Sequence, residues 1–236
     1  MLHFVALNDA LHKDLKINTA LIEAQGAYER MVPVVLSEYL KLIVSYPIVF
    51  TKNAETGKFI SVALLGFDER ENLFWSDSKW DSIYLPLNIS RQPFYVGDEA
   101  GETIICIDSK SPCIARDSEG EPLFEPDGGD TPYLQRMKSQ LSQLLKGEQE
   151  TRVFINALLE LNLIMPMTLD ISFANQQPQR VQGLYTINEE RLAQLDAEQL
   201  LRLKEKNYLQ PIYTMMGSLG QIYALIQKKN ERLGDA

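Results

Sequence analysis

The chain of 236 residues holds only two cysteines and two histidines, and no apolar run approaches the length of a membrane helix. Spanning a bilayer takes about 20 consecutive apolar residues. The longest candidate, Leu42 to Phe50, is interrupted by Ser45 and Pro47. Met1 to Leu7 has no basic n-region, and Asn8 and Asp9 break its apolar stretch. No signal peptide is therefore expected, and a cytoplasmic location is. Cys106 and Cys113 are too few for a disulfide framework. Cys106 lies in the apolar run Thr103-Ile104-Ile105-Cys106-Ile107 and reads as a buried, reduced thiol.

Positive charge is also scarce. The chain carries 23 basic against 32 acidic residues, a net charge of −9. Phosphate neutralisation needs clustered Lys and Arg, so nucleic acid is not an expected partner, and neither is an anionic membrane. Hydrophobic residues at 45% and charged residues at 23% suit a globular chain long enough to bury a core.

Catalytic signatures are missing as well. There is no P-loop, dinucleotide-binding glycine fingerprint, His-Glu-x-x-His helix or Gly-x-Ser-x-Gly elbow. Gly217-Ser218-Leu219-Gly220 has the wrong spacing for an elbow and falls in helical sequence; the face of Gly217, Gly220 and Ala224 reads as a close-packing surface, internal or toward a partner. His12-Lys13-Asp14 has the His-x-Asp spacing of an iron facial triad, but no histidine follows it to complete the site. With no paired Cys-x-x-Cys either, no metal and no cofactor are expected.

What is present is a β-rich first half and a helical second half. Met1 to Leu7, Ile48 to Phe50, Phe59 to Phe67, Asn72 to Trp75, Ser82 to Leu85, Phe94 to Val96 and Thr103 to Ile107 read as strands, with a hairpin turning at Asn53 to Gly57. One helix is expected from near Val32, with Pro33 early in it, to Val44. Arg116 to Asp130 is acidic and rich in Gly and Pro, a solvated loop or linker. Thr131-Pro132 then opens a helix with a Leu134, Met137, Leu141, Leu144, Leu145 stripe, and Gly147 is a plausible stop. Thr151 to Ile164 is a second helix ending before Pro166. Met167 to Phe173 alternates as a strand, turns at Asn175 to Gln179 and pairs with Val181 to Ile187. Asp196 and Gln199 form a capping box, Asn207 stops that helix, and Pro211 starts the last one, to about Lys229. The expected class is α+β: a β-rich lobe over 1–128 and a mainly helical lobe with one hairpin over 129–236, or one continuous domain.

The densest chemistry is in Asn72 to Tyr95, which holds both tryptophans together with Tyr84, Arg91, Phe94 and Tyr95. Such a patch suits either an interaction surface or the core of a β-rich lobe. Two functional classes stay open. One is a non-catalytic accessory or binding protein that recognises a peptide, amino-acid derivative or partner enzyme through Trp80, Tyr84, Arg91 and Phe94, with Asp108 and Glu119 as further binding candidates. The other is a metal-independent enzyme acting on a small metabolite or peptide through Arg91 and the carboxylates of Asp108 or Glu119.

Several motifs resemble the bacterial SapC-like family. They begin with Pro33-x-x-x-Ser37-Glu38-Tyr39, Tyr46-Pro47-Ile48-Val49-Phe50, Val62-Ala63-Leu64-Leu65-Gly66 and Glu71-Asn72-Leu73-Phe74. They continue with Trp80-Asp81-x-x-Tyr84-x-Pro86, Arg91-x-Pro93-Phe94, Ile107-Asp108, Ser111-Pro112, Glu119 to Phe124 and Asp127-Gly128. Thr151-Arg152, Gly183-Leu184-Tyr185-x-Ile187 and Leu209 to Leu219 close the pattern. Ser90 and Gln92 stand where the family often has a second basic residue and a tyrosine, so a two-arginine anion site is not implied. The family takes its name from a surface-layer locus, and a surface-layer role would require export. The resemblance implies no catalytic residues. It does imply neighbours, because relatives are often encoded near tryptophan-halogenase-like flavoproteins, cupin-like proteins and TonB-dependent receptors. A co-encoded halogenase-like flavoprotein or a peptide ligand is thus the expected partner.

Overall fold

The computed structural model describes residues 3–115, 119–174 and 178–234. Met1 and Leu2 of the first expected strand, residues 116–118 of the acidic loop and residues 175–177 of the second hairpin turn lie outside them. The expected hairpin forms between Ile48–Lys52 and Phe59–Leu64. Its turn is held by Asn53, whose Oδ1 accepts from the amides of Glu55 and Thr56, and Gly57 supplies the positive φ of 66°. Around it grows a five-stranded antiparallel sheet in the order Ile164–Ile171, Gln179–Ile187, Ile48–Lys52, Phe59–Leu64, Met31–Pro33. Strands from both sides of residue 128 thus share one sheet. Mixed helices and antiparallel sheets make the class α+β.

Among the described residues there are two buried clusters. The larger one sits on the five-stranded sheet and includes Tyr46, Phe50, Leu64, Phe154 and Ile212. The smaller one gathers Ile17, Phe94, Ile107, Cys113, Leu123 and Leu134 beside the sheet of Phe4–Ala6, Glu102–Asp108 and Phe94–Glu99. One helix serves both. Pro132–Glu160 runs for 29 residues, giving Leu134 and Leu141 to the smaller cluster and Phe154 and Leu158 to the larger. Thr131 caps it by accepting from the Leu134 amide at 3.2 Å.

The helix corrects the expected stop at Gly147 and the separate helix after it. A Cβ built at Gly147 would lie 2.8 Å from both Cβ and Cγ2 of Val35. The glycine is there for close approach, and an α-helix tolerates it at about 1 kcal/mol relative to alanine. The expected helix from Val32 is also corrected. Met31–Pro33 is an edge strand, where the missing proline N–H costs no ladder bond. Helical backbone begins only at Leu36–Glu38 and Tyr39–Leu42. Pro166 likewise sits in an edge strand, Ile164–Ile171, rather than after a helix reaching Ile164. Ser82 to Leu85 forms no strand. The last helix begins at Leu209 and ends at Ser218, and a second runs over Gln221–Gly234. The capping box at Asp196 and Gln199 is present, and both cysteines are free and buried.

The Gln221–Gly234 helix clasps the loop over residues 66–81. Lys229 is 6% exposed and pairs with Asp68 at 2.7 Å and with Glu71. Arg232 donates to the carbonyls of Asn72 and Trp75 at 3.0 and 2.9 Å. The hydrogen bond from Lys229 holds Asp68 below the usual carboxylate range, against partial desolvation. A carboxyl with a depressed folded pKa stabilises the fold above its unfolded value, and that stability is lost as pH falls through the folded one.

Two outcomes follow for equilibrium unfolding in urea. Gly147→Ala should lose about 1–3 kcal/mol through overpacking against Val35, despite alanine's better helix propensity. Lys229→Met should cost about 3 kcal/mol near neutral pH by stranding Glu71. It should also remove the part of the acid-side loss of stability, below about pH 4, that Asp68 contributes in the parent.

Candidate functional site

The aromatic segment is drawn inward by a chain of hydrogen bonds. Trp80 is 8% exposed, and its ring lies so close over Gly26 that a Cβ there would meet Cζ3 at 2.7 Å. Its indole N–H donates to the Tyr46 hydroxyl at 2.7 Å, and Tyr46 donates to the Tyr84 carbonyl at 2.6 Å. The Tyr84 hydroxyl then donates to Glu38 Oε1 at 3.1 Å. Trp80 and Tyr84 are therefore joined through Tyr46, and Tyr84 in turn to Glu38, neither of which the aromatic reading had named as a site residue.

Glu38 is the end of that chain and is completely buried. Besides Tyr84, Oε1 accepts from the Leu87 amide at 2.8 Å, and Oε2 accepts from the Val35 amide at 3.0 Å. Burial raises its pKa; the two backbone donors, Tyr84 and nearby Lys41 oppose the rise. Burial also pushes the Tyr84 phenol up, reinforced by the charge of Glu38, and lifts Tyr46 to about 12. The carboxylate's acceptors are taken up by the loop it holds, so it acts as a tie.

The other four expected residues lie apart from this chain. Phe94 is fully buried in the smaller cluster, its ring 6.2 Å from Tyr133. Asp108 is buried, and its Oδ1 accepts from the amides of His3 and Lys110, both at 3.1 Å. Glu119 is exposed. Arg91 is half-buried and stacks 4.3 Å over Tyr95, donating from Nε to Asn88 and from a terminal nitrogen to the Phe94 carbonyl. Desolvation lowers its pKa, while Tyr95 and Glu148 oppose that. Arg91 borders a cavity of about 90 Å³ with Tyr95 and Glu148. The other five line neither that cavity nor the two larger ones described next.

Glu148 leads from that small cavity into a cleft of about 330 Å³ between the Ile48–Leu64 hairpin and the long helix. Phe59, Ile60 and Ile155 supply apolar surface, and Asn53, Asn88, Lys58 and Arg152 supply polar groups. Asn88 is fixed on both sides, donating to the Pro33 carbonyl at 2.9 Å and accepting from Arg91 at 2.8 Å. Partial desolvation raises the pKa of Glu148, against the pull of Arg91. A wider groove of about 710 Å³ runs between the same helix and Leu209–Ser218, with Lys146 and Lys206 at its sides. Among the described residues, no group of three or more His, Cys, Asp and Glu is placed to hold a metal ion, and no helix is long and apolar enough to cross a membrane. The cleft escaped sequence reasoning because Lys58 and Arg152 share no local spacing; only the Thr151-Arg152 pair had stood out.

The model of the SapC family matches residues 7–225 of the 236. The chain belongs to the SapC family. Neither the curated proteins nor the solved structures yield a match. The SapC match takes in both clusters, the Glu38 tie and every wall of the cleft.

Substitutions separate tie from surface. Glu38→Gln puts an amide N–H₂ against backbone or phenol donors and should cost about 1–3 kcal/mol. Trp80→Ala should cost about 3–5 kcal/mol, the range for emptying a large aromatic core site. Thermal and urea unfolding of both variants check this; a Trp80→Ala protein as stable as the parent would return Trp80 to the surface.

Proposed function

We propose that this SapC-family chain is a non-catalytic accessory or binding protein of the cytoplasm, with its ligand seated in the cleft between the hairpin and the long helix. The carrying observation is the cleft's chemistry. Its volume is at the lower end for small-molecule sites, and it combines apolar surface with a few polar groups. Among the described residues, no histidine or cysteine lines it. Each of its three hydroxyls is already engaged: Thr56 with Asn53, Ser61 with Tyr39, and Thr151 with the Gly147 carbonyl. A nucleophile with its base, the usual minimum for acyl or phosphoryl transfer, is not assembled there.

The ligand class is a peptide or amino-acid derivative, and the partner is an enzyme to which that ligand is presented. A co-encoded halogenase-like flavoprotein is the candidate, resting on the family resemblance. The enzyme reading through Arg91, Asp108 and Glu119 is weaker, because the two carboxylates do not border the cavity that Arg91 borders.

Saturation-transfer NMR with amino acids, N-acyl amino acids and dipeptides tests the reading. Saturable binding is expected, and it should be lost in Thr56→Trp, which fills the cleft from an exposed rim position. Recovery of a chemically altered ligand, or binding unaffected by Thr56→Trp, would overturn the proposal.

A further inference from the structure

Within a chain of net charge −9, the cleft is locally cationic. Lys58 enters from the hairpin and Arg152 from the long helix, and among the described residues Glu148 is the one carboxylate on its walls. Neither cationic side chain has a hydrogen-bond, ion-pair or ring partner among the described residues. This is unlike most other basic groups near the main core. Lys229 and Lys228 are paired with carboxylates, Arg232 with carbonyls, and Arg91 with Asn88 and Phe94. Glu148 does not neutralise the pair: it forms no ion pair with Arg152 one helical turn on, and it faces Arg91 on its other side. Beneath the two cations lies apolar surface from Phe59, Ile60 and Ile155.

We infer that the cleft selects small amphipathic carboxylates, seating the apolar body on Phe59, Ile60 and Ile155 and the carboxylate between Lys58 and Arg152. The inference rests on the binding reading above and adds the charge and polarity of the ligand. Arginine meets a carboxylate through a planar fork, and lysine adds a point charge from the opposite wall. Asn88, locked by Pro33 and Arg91, offers a fixed polar edge to the ligand's body. A volume of about 330 Å³ matches a ligand of amino-acid-derivative size rather than a folded partner.

The test compares two ligands that differ in charge and little else, N-acetyl-phenylalanine and its uncharged amide, by calorimetric titration at low salt. The parent protein should bind the carboxylate at least tenfold more tightly than the amide. In Lys58→Gln/Arg152→Gln the preference should fall to within about twofold. Both residues are exposed, so the variant should melt as the parent does. Equal binding of both ligands by the parent, abolished by Thr56→Trp, would overturn the anion inference and leave the binding reading standing. A carboxylate preference that survives in the double variant would likewise overturn it. Absence of saturable binding of either ligand to the parent would sink both.

Discussion

A carboxylate with no exposure to water holds the segment around Tyr84 and Leu87 in place. Removing an ionised group from solvent is costly unless its acceptor sites are filled. Glu38 meets that condition with the amides of Val35 and Leu87 and the Tyr84 hydroxyl. The Val35 amide is local, but the Tyr84 hydroxyl and the Leu87 amide come from a segment distant in sequence, so the carboxylate cannot be fully satisfied unless that segment converges on it. Convergence fixes Leu87, and the short helix Leu87–Ser90 then carries Asn88 to the Pro33 carbonyl and Arg91 to Asn88. One wall of the cleft therefore depends on a charge that never meets solvent.

The other wall depends on a missing side chain. Gly147 lets the long helix lie against Val35, and Thr151, one turn on, accepts from the Leu36 amide at 3.0 Å. The segment after the edge strand is thus pinned at Val35 and Leu36 by the helix and at Val35 by Glu38. Arg152 follows Thr151, so the helix phase that ties Thr151 inward leaves the next residue on the cleft. Lys58 reaches the same space because the Asn53 turn sets the hairpin's register. The cleft is in this sense a by-product of contacts made for packing.

What was legible in the sequence was local. The Asn53–Gly57 hairpin, the Glu102–Asp108 strand, the Thr131 cap and the Asp196 capping box each rest on residues within a few positions of one another. Gly147 was misread because a glycine near a helix stripe is ordinarily a stop, and the Val35 that requires it lies far away in the chain. Pro33 was misread because an edge strand and a first helical turn tolerate proline for the same reason, an N–H that needs no partner. Glu38 drew no notice as a binding or structural acid, since one acid among apolar neighbours looks like a solvated helix position. Asn72 to Tyr95 is rich in aromatic residues, but periodicity does not say which way a ring faces, and Trp80 and Phe94 face inward.

The central claim is that Glu38 organises the segment that builds the cleft wall. Residue-resolved hydrogen exchange in Glu38→Ala, under conditions where the variant remains folded, tests it most directly. The account predicts faster exchange of the Val35 and Leu87 amides, spreading to Ile89, Ser90 and Arg91, while amides of the Pro132–Glu160 helix keep the protection of the parent. Unchanged exchange at Leu87 and through Leu87–Ser90 would contradict it.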